Sequence, residues 1–173
     1  TFLSIKKNKN NKIWIGTNEG INIVDEIQKV TYINKKKDIS AEQFGQQIED
    51  QNGNIWISTD KGVSIISPDL KSKRFLKIFG GIAFIFEDSR GKIWMAGYAS
   101  QGLFIYDKKM KTLRNFNITH GLADNLLLPA IEDKSGKIWC TFPENGGIMT
   151  IHVDDFKMQT LNLKTSLIGK PAL

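Results

Sequence analysis

Three Glu-Asp pairs, two histidines, one cysteine and four tryptophans are the residues of this 173-residue sequence with the most chemistry to offer. Paired carboxylates can divide the work of general acid and general base. A catalytic pair is needed once, however, and Glu49-Asp50, Glu87-Asp88 and Glu132-Asp133 recur in one and the same context. That recurrence points to a role local to a repeated element. His120 and His152 have no further ligands at metal-binding spacing. The Asp-x-x-Gly that begins with each paired aspartate lacks the dense oxygen ligands of a calcium loop. No metal or cofactor is therefore expected. Cys140 is the sole cysteine, so no internal disulfide can form. It stands where Ile15, Ile57 and Met95 stand in the other copies, which reads as a small buried hydrophobe and not as a nucleophile. Catalytic triad, phosphate-loop and dinucleotide patterns do not occur. No catalytic residue is assigned.

The element around these residues is written repeatedly. Glu49 to Trp56, Glu87 to Trp94 and Glu132 to Trp139 match position for position: an acidic pair, two residues, glycine, one residue, isoleucine, tryptophan. A fainter copy, Asn10-Asn11-Lys12-Ile13-Trp14, lacks the acidic pair and the glycine. Trp14, Trp56, Trp94 and Trp139 are spaced by 42, 38 and 45 residues. Such a period marks an array of supersecondary repeats. Asp50, Asp88 and Asp133 open turns that Gly53, Gly91 and Gly136 close. Aspartate at the first position caps backbone amides, and glycine at the fourth accepts a positive φ.

Each repeat reads as four short strands joined by hairpins. The spacing predicts Phe2–Ile5, Lys12–Gly16, Ile21–Val24 and Lys29–Ile33 within residues 1–37. It predicts Phe44–Ile48, Asn54–Ser58, Val63–Ile66 and Arg74–Ile78 within 38–79. Residues 80–118 give Ile82–Phe86, Lys92–Gly97, Leu103–Tyr106 and Thr112–Phe116. Residues 119–163 give Leu126–Ile131, Lys137–Phe142, Ile148–Val153 and Met158–Leu163. Residues 164–173 form a tail or the start of a further element. No helix is expected.

The second strands fix the architecture. Ile13-Trp14-Ile15, Ile55-Trp56-Ile57, Ile93-Trp94-Met95 and Ile138-Trp139-Cys140 are apolar without alternation. A sheet wetted on one face alternates, whereas one covered on both faces need not. Four-stranded meanders covered on both faces are blades of a β-propeller, an all-β fold. Burying the tryptophan and its two neighbours contributes on the order of 3 to 6 kcal/mol per blade before entropy is subtracted, and only with the adjacent blade in place. Either the ring closes at four or, the reading favoured here, the four repeats are part of a larger propeller, completed by other blades or by a second chain, with a homodimer as one form of this.

The basic residues behind the charge of +6 lie mainly at Lys6, Lys7, Lys9 and Lys12 and in three groups that follow a third strand: Lys35 to Lys37, Lys71 to Lys77 and Lys108 to Arg114. Basic solvated edges discourage strand-to-strand aggregation, and no nucleic-acid motif accompanies them. No run approaches the roughly 20 apolar residues of a membrane span. Thr1-Phe2-Leu3-Ser4-Ile5 does not begin a leader pattern, so no compartment is read from targeting signals.

With its acidic pair, Gly-x-Ile-Trp, short loop, glycine, apolar strand and closing aspartate, the repeat resembles the two-component regulator propeller repeat over about residues 2 to 163. Gly121-Leu122-Ala123-Asp124-Asn125 is similar to the family's lead-in to the first strand. The resemblance implies the periplasmic sensor region of a hybrid histidine kinase of the Bacteroidetes type. Its ligand would be a small molecule, an oligosaccharide, and its link to the membrane would run through the parent protein. The kinase activity of such a parent is not a property of this chain.

A ligand site is expected on the loops between second and third strands and between blades, which differ most among the copies. Tyr98 could stack on a sugar face while Gln101, Glu144 and Asn145 bond hydroxyls, with His120 nearby in the lead-in loop. Two other readings stay open. One is a lyase or glycosidase-like propeller enzyme in which His120, Glu144 or Asp124 serves as acid or base. The other is a scaffold that binds protein.

Overall fold

The computed structural model describes residues 2–7, 11–17, 19–34, 44–97, 100–142 and 147–161. They form four antiparallel sheets of four strands, each strand paired with its neighbour in sequence. The first sheet holds β1 (Phe2–Lys7), β2 (Ile13–Thr17), β3 (Gly20–Val24) and β4 (Val30–Asn34). The second holds β5 (Phe44–Glu49), β6 (Ile55–Thr59), β7 (Gly62–Ile66) and β8 (Lys73–Lys77). The third holds β9 (Ile82–Glu87), β10 (Ile93–Gly97), β11 (Leu103–Asp107) and β12 (Thr112–Phe116). The fourth holds β13 (Leu128–Glu132), β14 (Lys137–Phe142), β15 (Gly147–His152) and β16 (Met158–Leu161). The chain is all-β, as the repeat predicts. Among the described residues one short helical element was not expected: a single 3-10 turn at Ile118–His120.

Contacts divide the chain into two compact units, residues 1–85 and 86–173, with the division inside β9. In the first unit, Trp14, Ile21, Ile23 and Ile33 of the first blade share a core with Ile55, Ile57 and Ile66 of the second. In the second unit, Trp94, Leu103 and Ile105 share a core with Ile138, Cys140, Met149 and Ile151 of the fourth blade. The seating rule is the same in both: the tryptophan face of one blade lies on the aliphatic face of another. A buried side chain of this size contributes about 1.5–3 kcal/mol, so each rests on the neighbouring sheet for its stability.

The repeated turn forms as expected and does more than expected. The amides of Asn52 and Asn54 donate to Asp50 Oδ1, those of Arg90 and Lys92 to Asp88 Oδ1, and those of Ser135 and Lys137 to Asp133 Oδ1, all at 2.8–3.1 Å. Gly53, Gly91 and Gly136 take φ of 77°, 80° and 76°. The second carboxylate oxygen accepts the indole N–H: Trp56 to Asp50 at 2.9 Å, Trp94 to Asp88 and Trp139 to Asp133 at 2.8 Å. One aspartate thus caps the turn and satisfies the tryptophan, which explains why these two residue types recur together.

The second strands correct one expectation. All five residues of β6 and of β10 are buried. In β2 and β14 burial alternates instead. Ile13 is 40% exposed, and Trp139 is half-buried while Trp14, Trp56 and Trp94 are buried. The four indoles therefore do not lie at equal depth, because depth is set by a covering sheet and not by position in the repeat. The basic fourth strands β8 and β12 are almost wholly exposed, in keeping with solvated edges.

Candidate ligand-binding site

In the second unit, the loop before β11 and the connection from β12 to β13 are built together. Gly102 donates its amide to the Asn125 carbonyl at 2.9 Å, and Asn115 Nδ2 donates to the Gln101 carbonyl at 2.9 Å. Gly102 has φ of 85°, and a Cβ there would meet the Phe116 carbonyl oxygen at 2.0 Å. Only glycine lets the loop approach β12 this closely. Asn125 Oδ1 accepts the Ile118 amide at 2.9 Å, and Asp124 Oδ1 accepts the Leu126 amide at 2.9 Å. The result is a braced cluster of Gln101, Asn115, Asn117 and Asn125 at one end of the sheet.

Within that cluster Gln101 Oε1 is buried and accepts no hydrogen bond. A buried carbonyl oxygen without a donor costs about 1–3 kcal/mol. An incoming hydroxyl or amide would supply that donor. His120 is exposed, and its Nδ1 is committed to the 3-10 turn: the Asn117 amide donates to it at 3.3 Å while Asn117 Oδ1 accepts the Thr119 amide at 2.9 Å. Its ring packs edge-on against Phe116 at 5.9 Å. The structure thus gathers Gln101 and His120 onto connected loops but leaves His120 with a turn-forming role. Tyr98, Glu144 and Asn145 lie outside the described residues. Asp124, the other acid considered, serves a backbone amide. Among the described residues no group of three His, Cys, Asp or Glu side chains could hold a metal ion.

A second polar surface escaped the sequence reading. In the first three blades the residue paired with the tryptophan is Ile23, Ile65 and Ile105; in the fourth it is Thr150. Thr150, His152, Asp155, Lys137 and Gln159 line an open depression of about 460 Å³. His152 Nδ1 lies 3.4 Å from Asp155 Oδ1. The departure from isoleucine at this register position was the available signal.

The third and fourth blades are clamped at their turns. Arg90 donates from Nε and Nη2 to the two carboxylate oxygens of Asp154 at 3.0 and 3.1 Å. This pairing lowers the Asp154 pKa and raises that of Arg90. Ser89 donates its amide and hydroxyl to Glu132, each at 2.6 Å, and Lys92 Nζ donates to the Val153 carbonyl at 2.9 Å. Glu87 and Lys108 form a largely buried ion pair. The first residue of two acidic pairs thus makes an ion pair or a blade contact while the second holds the turn. Phe156, at φ 58°, packs on Phe116 at 5.2 Å and on Trp94 at 6.2 Å, with Lys92 Nζ 4.8 Å above its ring.

Solved structures share this arrangement. The extracellular domain ascribed to a hybrid two-component system of B. thetaiotaomicron matches 93% of this chain with a TM-score of 0.74 at 20% identity. The chain spans 24% of that domain. This is propeller architecture. A catalytically inactive virginiamycin B lyase from Staphylococcus aureus, crystallised with quinupristin, matches 95% of the chain and 56% of its own length, with a TM-score of 0.74 at 13% identity. An auxiliary nutrient binding protein from Bacteroides ovatus matches 91% of the chain and 40% of its own length, with a TM-score of 0.65 at 13% identity. At these identities the likeness is one of fold. No family profile and no curated protein matches the sequence. The sensor-type propeller that the repeat resembles and the fold of these neighbours agree.

Proposed function

We propose that this propeller segment recognises an oligosaccharide on the extracytoplasmic side of the membrane, as the non-catalytic sensing part of a two-component receptor. The observation that carries the reading is Gln101 Oε1, a buried acceptor left open within braced, asparagine-rich loops. Sugar hydroxyls are donors of the right chemistry for such a site, and Tyr98, three residues earlier, supplies an aromatic face in sequence. The similarity to a sensor ectodomain and to a nutrient-binding protein supports the same direction. Other propeller blades or a second chain would cover the half-exposed tryptophan face of the fourth blade. Among the described residues no helix is long and apolar enough to cross a membrane, so in this reading attachment belongs to the parent protein.

Glycan-array screening followed by calorimetric titration of the best binder tests this. Wild-type protein should bind saturably, and Gln101→Leu should weaken binding about tenfold, equal to about 1.4 kcal/mol, while leaving the thermal midpoint unchanged or raised. Release of the burial cost of an unpaired oxygen accounts for the second effect. An empty array, or a Gln101→Leu variant that binds as wild type does, overturns the reading. Turnover of a bound glycan would favour the lyase-like alternative.

A further inference from the structure

Pairing register sorts each blade into two faces, because directly opposed residues and alternate residues along a strand share a side. In the first blade Trp14 pairs with Ile23, and Ile21 pairs with Ile33. Those four lie in the core shared with the second blade. On the other side Ile13 pairs with Val24 and Val24 with Val30, while Ile5 pairs with Ile15. Tyr32 joins them through Asn22, the partner it shares with Ile15. This second face is apolar and open: Ile5 is 63% exposed, Val30 58%, Tyr32 45% and Ile13 40%. Large apolar side chains exposed together on one sheet face form a patch, unlike apolar residues scattered singly.

The same register positions in other blades show what such a face does. Ile55 pairs with Ile66 as Ile13 pairs with Val24, and Ile55, Ile57 and Ile66 are buried in the core that holds Trp14. Ile138 pairs with Ile151, and both are buried in the core that holds Trp94. The residues flanking a tryptophan, with their partners, are thus the seat for the tryptophan of the preceding blade. The fourth blade carries the matching part. Trp139 pairs with Ile131 and with Thr150, so the three share a face. Trp139 is half-buried and Ile131 is 62% exposed. The first blade therefore offers an open seat, and the fourth a tryptophan face with nothing beneath it.

We infer that a second copy of this chain covers these faces, the Trp139 face of one copy resting on the Ile13 face of the other. The contact continues the tryptophan-on-aliphatic packing that the chain already makes twice within itself. It is heterologous, since two different patches meet. Two copies joined at both junctions hold eight blades, within the range of roughly 4 to 8 at which propellers close. In the second unit Ser89 bonds Glu132 across such a junction. The corresponding residues at the new one are Lys134 and Lys7, both exposed. Apolar burial must therefore carry the contact, and added salt should strengthen it by screening the two lysines. None of this depends on sugar recognition at Gln101.

Sedimentation velocity of the whole chain over a concentration series tests the inference. Wild type should pass reversibly to a species of twice the 19.5 kDa of one chain. Ile13→Glu spoils the seat and Ile131→Glu the tryptophan face. Both positions are exposed, so each variant should keep its fold, as circular dichroism would show. Val30→Glu, at another exposed position of the seat, serves if Ile13→Glu does not fold. Each variant alone should associate at least about a hundredfold more weakly, because a carboxylate would be buried without a partner. Mixed in equal amounts, a seat variant and Ile131→Glu should form a one-to-one complex, since each retains the face that the other needs. A wild-type chain that stays monomeric at the highest concentration reached leaves both faces to other sequence and overturns the inference. So does a mixture that stays monomeric. Self-association weakened by only one of the two substitutions would mark contact between like faces, and overturns it as well.

Discussion

One carboxylate, that of Asp88, holds the indole N–H of Trp94 at 2.8 Å with one oxygen and the amides of Arg90 and Lys92 with the other. Both side chains are buried. The bond ties the turn that starts the second strand to the residue that seats the third blade on the fourth. Replacing Asp88 with alanine removes a turn cap and strands a buried donor. The two losses together cost about 2–4 kcal/mol, to be read from urea unfolding. Asp133→Ala should cost clearly less, because Trp139 is half-buried and water can replace the lost acceptor. Equal costs at the two positions would contradict this account of burial.

Asp133 also makes a prediction in acid. Its carboxyl is held well below the ordinary aspartate range, first by the Ser135 hydroxyl, then by the Trp139 indole and the Lys137 amide. A lowered folded-state pKa contributes stability that is complete above the unfolded value and is lost as pH falls toward the folded one. Between about pH 4 and pH 2, where free aspartate takes up its proton, the Trp139 indole signal should stay in place. Ser135→Ala should move the onset of its titration upward, toward the ordinary range, as a pH series followed by the same signal would show.

Much of this was legible because it is local. The Asp-x-x-Gly turn and the hairpins follow from residue types a few positions apart, and the repeat places each of the four sheets in order. The spacing of six between Asp50 and Trp56 was equally visible, but its meaning was not. It needs the turn and the strand register together to bring the two side chains onto one side. The 3-10 turn at Ile118–His120 was missed because its capping partner at the third position is histidine, where the usual signature asks for Glu or Gln. Trp139 was misjudged for a different reason: no residue near it in sequence records whether another sheet covers it. At the candidate site, variable loop length flagged Gln101, while its unpaired oxygen depends on how Asn115 and Asn125 fold around it.

Phe156 tests how a packed ring offsets an unfavourable backbone. Its φ of 58° lies in the left-handed region, as do those of Gln28, Leu70 and Lys111. Leu70 packs against the core that holds Trp14, much as Phe156 packs against the one that holds Trp94. Phe156→Ala should cost about 3 kcal/mol through lost contacts with Trp94 and Phe116. Glycine normally destabilises more than alanine, yet here it relieves about 1 kcal/mol of left-handed strain. Phe156→Gly should therefore be no less stable than Phe156→Ala in thermal unfolding. A Gly variant markedly weaker than Ala would mean that the strain is small.

Cys140 offers a reporter for the pairing of the third and fourth blades. It is buried in the core that Trp94 and Ile105 share with Ile138 and Ile151, and burial pushes its thiol up to about 12. At pH 8 almost no thiolate is present in the folded state, whereas an unfolded cysteine with a pKa of about 8.5 is partly ionised. Labelling by a thiol reagent should thus proceed only through opening of this core, and its rate should fall as the core is stabilised. Ile105→Ala thins the same core without touching the sulfur's own strand, and should accelerate labelling by a factor that tracks its loss of stability, about tenfold per 1.4 kcal/mol where opening is fast and reversible. Labelling that is rapid in wild type, or indifferent to Ile105→Ala, would show that the sulfur is reached without parting the two sheets.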